Sequence, residues 1–166
     1  MRAGVALGSN IEPRLAHLRE ARRLLLGLQS ERQPVLCSKV YETSPVDCPP
    51  GSSPFLNAAL ELCTELSPQQ LLLRFKSIES QLGRANALPR NSPRPIDIDL
   101  LYCDNIVLAE PNLTIPHPGL SRRRFVLQPL SDIRPDLVLP RFTRNVRQLL
   151  NNLRTNEEVS EYISVL

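Results

Sequence analysis

Tryptophan is absent from this chain of 166 residues, and aromatic residues make up only 4% of it. Proteins that bind nucleic acid usually combine a strong basic excess with interleaved aromatic side chains. Because the formal net charge is only +3, we expect no nucleic-acid partner. Lysine is also scarce, since Lys39 and Lys76 are the only lysines among 20 basic residues. Arginine therefore carries the positive charge, and its planar guanidinium suits phosphate groups, although genome composition can also enrich arginine.

Long apolar runs are missing as well. No stretch of about 18 consecutive apolar residues occurs, and the opening MRAGVALGSN lacks the apolar segment of a signal peptide. We therefore expect a cytoplasmic protein without a membrane partner. The four cysteines are widely and irregularly spaced and only two histidines occur, so reduced thiols are expected and a zinc site is not. The length suits one domain over residues 1–166, and a monomer is the simplest expectation.

Hydrophobic periodicity divides the chain into strands and helices. It predicts strands at 4–7, 34–43 and 55–66, and a further strand around Asp97 and Asp99 that turns back as a hairpin through Asp104 and Asn105. Helices are predicted over 13–28, 68–82, 125–130 and 143–153, whereas the tail from residue 155 carries no clear pattern. Because strands and helices mix without strict alternation, we predict an α+β fold, with a mainly antiparallel sheet flanked by helices.

Two aspartates interrupt the apolar strand in PRPIDIDLL, residues 93–101. Alternate side chains of a strand share a face, so Asp97 and Asp99 point the same way, with Cα atoms about 6.5 to 7 Å apart. The pair could reach one cation or two. An exposed sheet face with ordinary alternation is the plainer interpretation of an isolated Asp-x-Asp.

Positive charge and two irregular segments lie close to this strand in the sequence. Arg84, Arg90 and Arg94 bracket the loop before the aspartates, and a run of three arginines follows at 122–124. An aspartate pair with arginines suits a magnesium-bound polyphosphate, because magnesium takes carboxylate, phosphate and water oxygens. Neither a Walker loop nor the dinucleotide-binding glycine pattern occurs, so side chains and metal would hold a nucleotide here.

Six motifs, in this order, resemble those of the 6-hydroxymethyl-7,8-dihydropterin pyrophosphokinase family: ALGSN, YETSP, FLNAA, IESQLGR, PRPIDIDLL and LTIPHPGLSRRRFVLQPL. The resemblance spans roughly residues 3–140. It implies transfer of the β,γ-diphosphate of ATP to the pterin hydroxymethyl group in folate biosynthesis, with release of AMP. It also implies an α+β sandwich related to ferredoxin-like folds, and two Mg²⁺ ions that bridge the ATP phosphates.

The resemblance also implies roles for individual residues. Asp97 and Asp99 match the metal ligands, and they count as catalytic together with the phosphate-contacting Arg84 and Arg94. The residues that match the nucleotide and nearby positions are Glu79, Leu100, Thr114, His117 and Arg123. The residues that match the pterin positions are Thr43, Ser44, Val46, Phe55, Asn57 and Phe125, with the two rings sandwiching the pterin and the amide binding its edge.

Other interpretations of these residues stay open at this point. Phe55 and Phe125 could be core residues, His117 could stiffen a loop between prolines, and an arginine run is usually a solvated face. The chain could also be another magnesium-dependent nucleotidyl- or glycosyltransferase that uses the Asp-x-Asp pair, or a binding module without enzymatic activity.

The chain also departs from the family pattern at five positions. These departures concern the binding of the nucleotide and the closure of the second irregular segment, residues 83–95. The aspartate pair and the pterin positions match the family pattern. The departing residues are Lys76, Asn86, Asn91, Ser92 and Pro118.

Overall fold

The computed structural model of the chain describes residues 1–30, 33–85 and 92–166. Its strands are β1 (Arg2–Ser9), β2 (Leu36–Cys37), β3 (Val40–Thr43), β4 (Phe55–Cys63), β5 (Asp97–Cys103), β6 (Leu108–Glu110), β7 (Leu113–Ile115) and β8 (Val159–Ile163). Its α-helices are α1 (Arg14–Leu26), α2 (Pro68–Gln81), α3 (Arg124–Ile133) and α4 (Val146–Asn152), and a short 3-10 helix covers Leu120–Arg122.

A six-stranded antiparallel sheet organises these elements. Its strand order is β5-β1-β4-β3-β8, with β2 also paired to β4, and β6 and β7 form a separate two-stranded sheet. The predicted α+β fold with a mainly antiparallel sheet is therefore confirmed.

Helices cover both faces of the sheet. Leu18 of α1 and Phe75 of α2 pack with Leu56 of β4 in one buried cluster. Leu127 of α3 packs with Ala59 of β4 in a second cluster on the opposite face. Alternate residues of β4 thus enter different cores, which explains why eight of its nine residues are buried.

The sequence predicted the clearest helix closely. Ser67 accepts a hydrogen bond from the backbone N–H of Gln70, and the Gln70 side chain accepts one from the backbone N–H of Ser67. This capping box begins α2, and Leu71, Phe75 and Ile78 form its buried stripe.

Two sequence predictions were wrong, and the tail, which carried no clear pattern, contains a strand. The strand predicted at 34–43 is broken, because Ser38 accepts a hydrogen bond from the Ala59 N–H through its hydroxyl between β2 and β3. The chain does turn at Asp104, which has φ +39°, but the following β6 pairs with β7, and β5 pairs with β1. The tail contains β8, which pairs with β3 at the sheet edge.

The described residues also bear on the expectations about cysteine and membranes. All four cysteines are free thiols, as expected. Within ranges 1–30, 33–85 and 92–166, no helix is long and apolar enough to cross a membrane.

Candidate active site

A cavity of about 250 Å³ opens where β1, β4 and β5 lie side by side. Gly8 of β1 pairs with Asn57 on one side and with Asp97 on the other, so the three residues form a row across the sheet. A Cβ at Gly8 would lie 3.0 Å from Asn57 Oδ1. Glycine at this position therefore avoids crowding of the Asn57 amide beside the cavity.

Twelve of the fifteen predicted site residues line this cavity. They are Thr43, Ser44, Val46, Phe55, Asn57, Arg84, Arg94, Asp97, Asp99, His117, Arg123 and Phe125. Residues from six separate segments of sequence therefore meet at one place, and the aspartate pair faces a cavity, not an open sheet surface.

Two arginines neutralise Asp97. Arg84 Nη1 lies 2.5 Å from Asp97 Oδ1, and Arg94 Nη1 lies 3.3 Å from Asp97 Oδ2. Gly83, with φ +89°, ends the turn after α2 and allows the chain to present Arg84 to β5. Residues 86–91 of the intervening loop, with the predicted Arg90 and the departures Asn86 and Asn91, lie outside the described residues.

Asp99 lacks the close arginine partners that Asp97 has among the described ion pairs. Burial raises the pKa of Asp99 to about 7, and the negative charge of Asp97 adds to this, while Arg123 acts in the opposite direction. A buried carboxyl in this situation is stabilised as a carboxylate when a cation lies beside it. The chemistry of the site thus suits an added positive charge.

A magnesium ion fits the donor set that Asp97 and Asp99 provide. Among the residues that the structure describes, no group of three or more histidine, cysteine or acidic side chains could enclose a metal. Magnesium does not need such a cage, because it commonly takes one or two carboxylates and completes its shell with phosphate oxygens and water. The two aspartates would therefore hold it together with phosphate oxygens or water.

Glu79 lies behind the carboxylate pair. Its carboxylate accepts a hydrogen bond from the Ile98 backbone N–H at 2.8 Å and forms an ion pair with Arg84. Burial raises the pKa of Glu79, and the Ile98 N–H and Arg84 oppose this rise. Because Glu79 is not among the lining residues, its contacts suit orientation of Arg84 and of β5.

The aromatic side of the cavity combines two rings with an amide. Asn57 Nδ2 donates to Thr43 Oγ1 at 2.7 Å, which fixes the orientation of the amide. The guanidinium carbon of Arg94 lies 5.7 Å from the centre of the Phe55 ring, and that of Arg123 lies 5.5 Å from the centre of the Phe125 ring. Each ring thus has a cation at its face on the polar side of the cavity.

His117 joins the polar side as a neutral imidazole. The backbone N–H of Gly119 donates to His117 Nδ1 at 3.1 Å, which leaves the proton of the neutral ring on Nε2. Burial lowers the pKa of His117, and the charge of Arg123 lowers it further. The side chain can therefore donate a hydrogen bond without carrying a full charge.

Leu100 and Thr114 do not line the cavity with the other predicted residues. The Leu100 side chain belongs to the core on the opposite face of β5, and Thr114 pairs with Ala109 in the two-stranded sheet. Their implied backbone contacts with a nucleotide stay predictions.

Sequence reasoning missed several residues of the site. Asn10 holds the backbone of Arg94 from both sides, since its Oδ1 accepts from the Arg94 N–H at 2.8 Å and its N–H donates to the Arg94 carbonyl at 3.2 Å. Its place in the ALGSN motif was the available signal. The other missed residues line the cavity: Ala6, Leu7, Gly8, Asp47 and Cys48.

A comparison with protein families shows the family of this chain. The family model described as 7,8-dihydro-6-hydroxymethylpterin-pyrophosphokinase matches residues 4–135, a range that holds every predicted site residue. The chain belongs to this family. The match supports the resemblance found in the sequence motifs.

Curated members of the pyrophosphokinase family are similar over most of the chain. A 2-amino-4-hydroxy-6-hydroxymethyldihydropteridine pyrophosphokinase of Synechocystis is 36% identical over 154 residues, which cover 91% of this chain and 75% of that protein. A mitochondrial folate synthesis bifunctional protein of Arabidopsis thaliana is 41% identical over 131 residues, 78% of this chain. The chain spans only 23% of that bifunctional protein.

Solved structures support the fold. The wild-type HPPK-DHPS of Plasmodium falciparum crystallised with SDX-DHP superposes with a TM-score of 0.68 at 17% identity, covering 99% of this chain and 49% of that one. At this identity the likeness concerns the fold alone.

Proposed function

We propose that this chain transfers the β,γ-diphosphate of ATP to the hydroxymethyl group of 6-hydroxymethyl-7,8-dihydropterin and releases AMP, a step of folate biosynthesis. The observation that carries the proposal is the meeting, in one cavity, of the aspartate pair, two arginines and a ring-and-amide pocket. Membership of the pyrophosphokinase family supports the same reaction.

The polar half of the cavity is suited to the triphosphate. Asp97 and Asp99 would hold magnesium, two ions in this proposal, whose charge offsets that of the phosphates. Arg84 and Arg94 both form ion pairs with Asp97. They are therefore placed to contact phosphate oxygens when a metal ion binds Asp97. His117 and Arg123 supply further hydrogen-bond donors at this end.

The aromatic half of the cavity is suited to the pterin. Phe55 and Phe125 offer ring faces to a flat heterocycle. Asn57 has its amide fixed by Thr43, so its remaining donor and acceptor positions can bind the edge of the pterin without reorientation. Ser44 and Val46 would contact it from the loop after β3.

In the proposed reaction the pterin hydroxyl oxygen attacks the β-phosphorus of ATP. A new bond forms between this oxygen and the β-phosphorus, the bond from the β-phosphorus to the α,β-bridging oxygen breaks, and AMP leaves with that oxygen. The hydroxyl proton is released to solvent or to a phosphate oxygen. The protein acts by positioning and by neutralising charge, since the transferring group needs no covalent attachment to it.

The decisive experiment supplies the purified chain with ATP, magnesium and the reduced pterin. We expect AMP and a diphosphorylated pterin in equal amounts, measured by phosphorus NMR and mass spectrometry. ADP with a monophosphorylated pterin, or a nucleotidylated pterin with free diphosphate, would contradict the proposed transfer. Binding of both ligands without any turnover would favour the binding module.

We also propose that the chain acts as a cytoplasmic monomer without nucleic-acid or membrane partners. Its small number of lysines and aromatic residues and its modest net charge support this. Sedimentation of the purified protein at several concentrations would contradict the monomer if the mass rose to that of a dimer.

A further inference from the structure

The C-terminal segment, residues 155–163, contacts the wall of the pterin pocket that contains Ser44. The Ser44 N–H donates to the Glu158 carbonyl at 3.1 Å, and the Glu158 N–H donates to Ser44 Oγ at 3.1 Å. β8 follows directly and pairs with β3. The segment therefore holds the chain at the point where β3 passes into the loop of the pocket.

The same segment also contacts the start of α3, which carries Phe125 of the cavity. The first backbone N–H groups of a helix have no partner within it. Arg123, in the N-cap position of α3, makes no side-chain capping hydrogen bond. Glu157, which is distant in sequence, caps the helix instead, because its Oε2 accepts a hydrogen bond from the Phe125 N–H at 3.1 Å. A carboxylate is favoured there by the helix dipole.

Neither Glu157 nor Glu158 is among the residues that line the cavity. Both also lie outside residues 4–135, which the family model matches. Their effect on a ligand must therefore pass through Phe125 and Ser44, which do line it.

We infer that Glu157 is a positioning residue for pterin binding, which fixes the ring of Phe125 by capping α3 from the C-terminal segment. The inference rests on the proposed function, since it assigns Phe125 to the pterin. Loss of the cap makes the first turn of α3 more mobile, so the Phe125 ring adopts more orientations in the free protein. Fixing the ring when the pterin binds then costs more conformational entropy. At the nucleotide end, Arg84 and Arg94 are held by Asp97 of β5. Only Arg123 of that end lies at the start of α3, so nucleotide binding is expected to change less than pterin binding.

Three single variants test this inference. Glu157→Ala removes the acceptor for the Phe125 N–H, and Glu157→Gln keeps an acceptor of the same length without the charge. Glu158→Ala is the matched control, because it removes the same charge from the adjacent residue while the backbone groups that bind Ser44 remain.

We expect the pterin Kd of Glu157→Ala to rise about threefold to tenfold, as loss of a helix cap suggests. The pterin Kd of Glu157→Gln and of Glu158→Ala should stay within about twofold of wild type. In Glu157→Ala, the Kd for a nonhydrolysable ATP analogue with magnesium should rise less than the pterin Kd does, since only Arg123 of the nucleotide end lies at the start of α3. Calorimetry gives both affinities, and amide exchange at Phe125 should be faster in Glu157→Ala alone.

Two results would overturn the inference. One is an unchanged pterin Kd in Glu157→Ala, whether or not its melting temperature falls, because the role would then be structural only. The other is an equal loss of pterin affinity in Glu158→Ala, which would assign the effect to charge. In either case wild-type release of AMP leaves the proposed function standing. A wild type that binds no pterin and releases no AMP defeats both.

Discussion

The two glycines of β1 face the same side of the sheet, yet the space above them is used in opposite ways. At Gly4, a Cβ would lie 2.1 Å from a ring carbon of Tyr102, so an aromatic ring fills the space. At Gly8, the three atoms nearest to such a Cβ are 3.0 to 3.8 Å away, and Gly8 lines the cavity. We call the end of β1 at Gly4, where the Tyr102 ring fills the space, the closed end. The end at Gly8, where the cavity lies, is the open end.

The carboxylates at the two ends differ in the same way. At the closed end, Glu61 is 5% exposed, accepts a hydrogen bond from the Tyr102 hydroxyl at 2.5 Å and forms an ion pair with Arg134. At the open end, burial raises the pKa of Asp99. Glu61 has its partners within the protein, whereas the proposed partner of Asp99 is a cation that binds with the nucleotide. Glu61 thus contributes to the stability of the fold, whereas Asp99 is a proposed ligand-binding residue.

The largest expected effect is on turnover at the open end. Asp99→Asn should lower AMP production by about a thousandfold or more, because the lost charge stabilises the reacting phosphates. Stability should be unchanged or higher, since the variant removes a buried carboxyl close to Asp97. AMP assays and urea unfolding measure the two quantities.

Glu61→Gln is the matched control at the closed end. It should keep its turnover and lose about 1 to 3 kcal/mol of unfolding free energy, because Arg134 loses a charged partner but remains 33% exposed. The difference in role between Glu61 and Asp99 would be contradicted if Asp99→Asn stays active with magnesium, or if Glu61→Gln is folded but inactive.

The glycines give the next largest effect. Gly4→Ala should destabilise the protein by about 1 to 3 kcal/mol or more, because the new methyl group would overlap the Tyr102 ring. Gly8→Ala should lower stability less, but it should weaken pterin binding about tenfold by displacing the Asn57 amide. Thermal unfolding and pterin calorimetry on both variants check this, and a pterin affinity that falls more in Gly4→Ala would contradict it.

A smaller effect concerns the coupling of the two ligands. Arg84 and Arg94 both form ion pairs with Asp97 in the free protein. Magnesium would compete with the arginines for this carboxylate, and the phosphates of the nucleotide would then bind and order the arginines. We expect pterin to bind about 1 to 3 kcal/mol more tightly when a nonhydrolysable ATP analogue and magnesium are present. Equal affinities with and without the analogue, together with unchanged amide exchange in residues 83–85 and 92–95, would exclude such closure.

The smallest effect is a pH dependence of stability. Burial lowers the pKa of His117 in the folded protein. In the unfolded chain, the same side chain becomes protonated below about pH 6.5, whereas in the folded protein it stays neutral to a lower pH. The stability due to neutral His117 is thus present above pH 6.5 and is lost as the pH falls through the folded pKa. His117→Asn should reduce the loss of unfolding free energy between pH 7.5 and 5.5, roughly the range in which histidine titrates. His17→Asn provides the comparison, and equal slopes in both variants would contradict the assignment.

Local patterns predicted the parts of this fold that depend on neighbours in sequence. The capping box at Ser67 and Gln70 and the alternation of Asp97 and Asp99 can be read directly, because caps and strand faces follow fixed spacings. The partner of a strand does not follow from its pattern, which is why β6 was wrongly assigned to a hairpin with β5.

The missed parts of the site depend on distant contacts. β8 is only partly buried, with three of its five residues exposed, so it lacks the apolar alternation that marks a strand and forms because β3 offers a free edge. Gly8 becomes informative only when Asn57 and Asp97 are known to flank it. The resemblance to a family supplied the site residues that spacing alone could not.

The position of the C-terminal segment has a consequence for the order in which the site is completed during synthesis. A nascent chain that has emerged only through α4 already contains Asp97, Asp99 and both glycines of β1. Ser44 and Phe125 still lack their partners at that stage, because Glu157 and Glu158 have not yet emerged. The part of the cavity around the two aspartates can therefore take shape during synthesis before the part around Ser44 and Phe125 does.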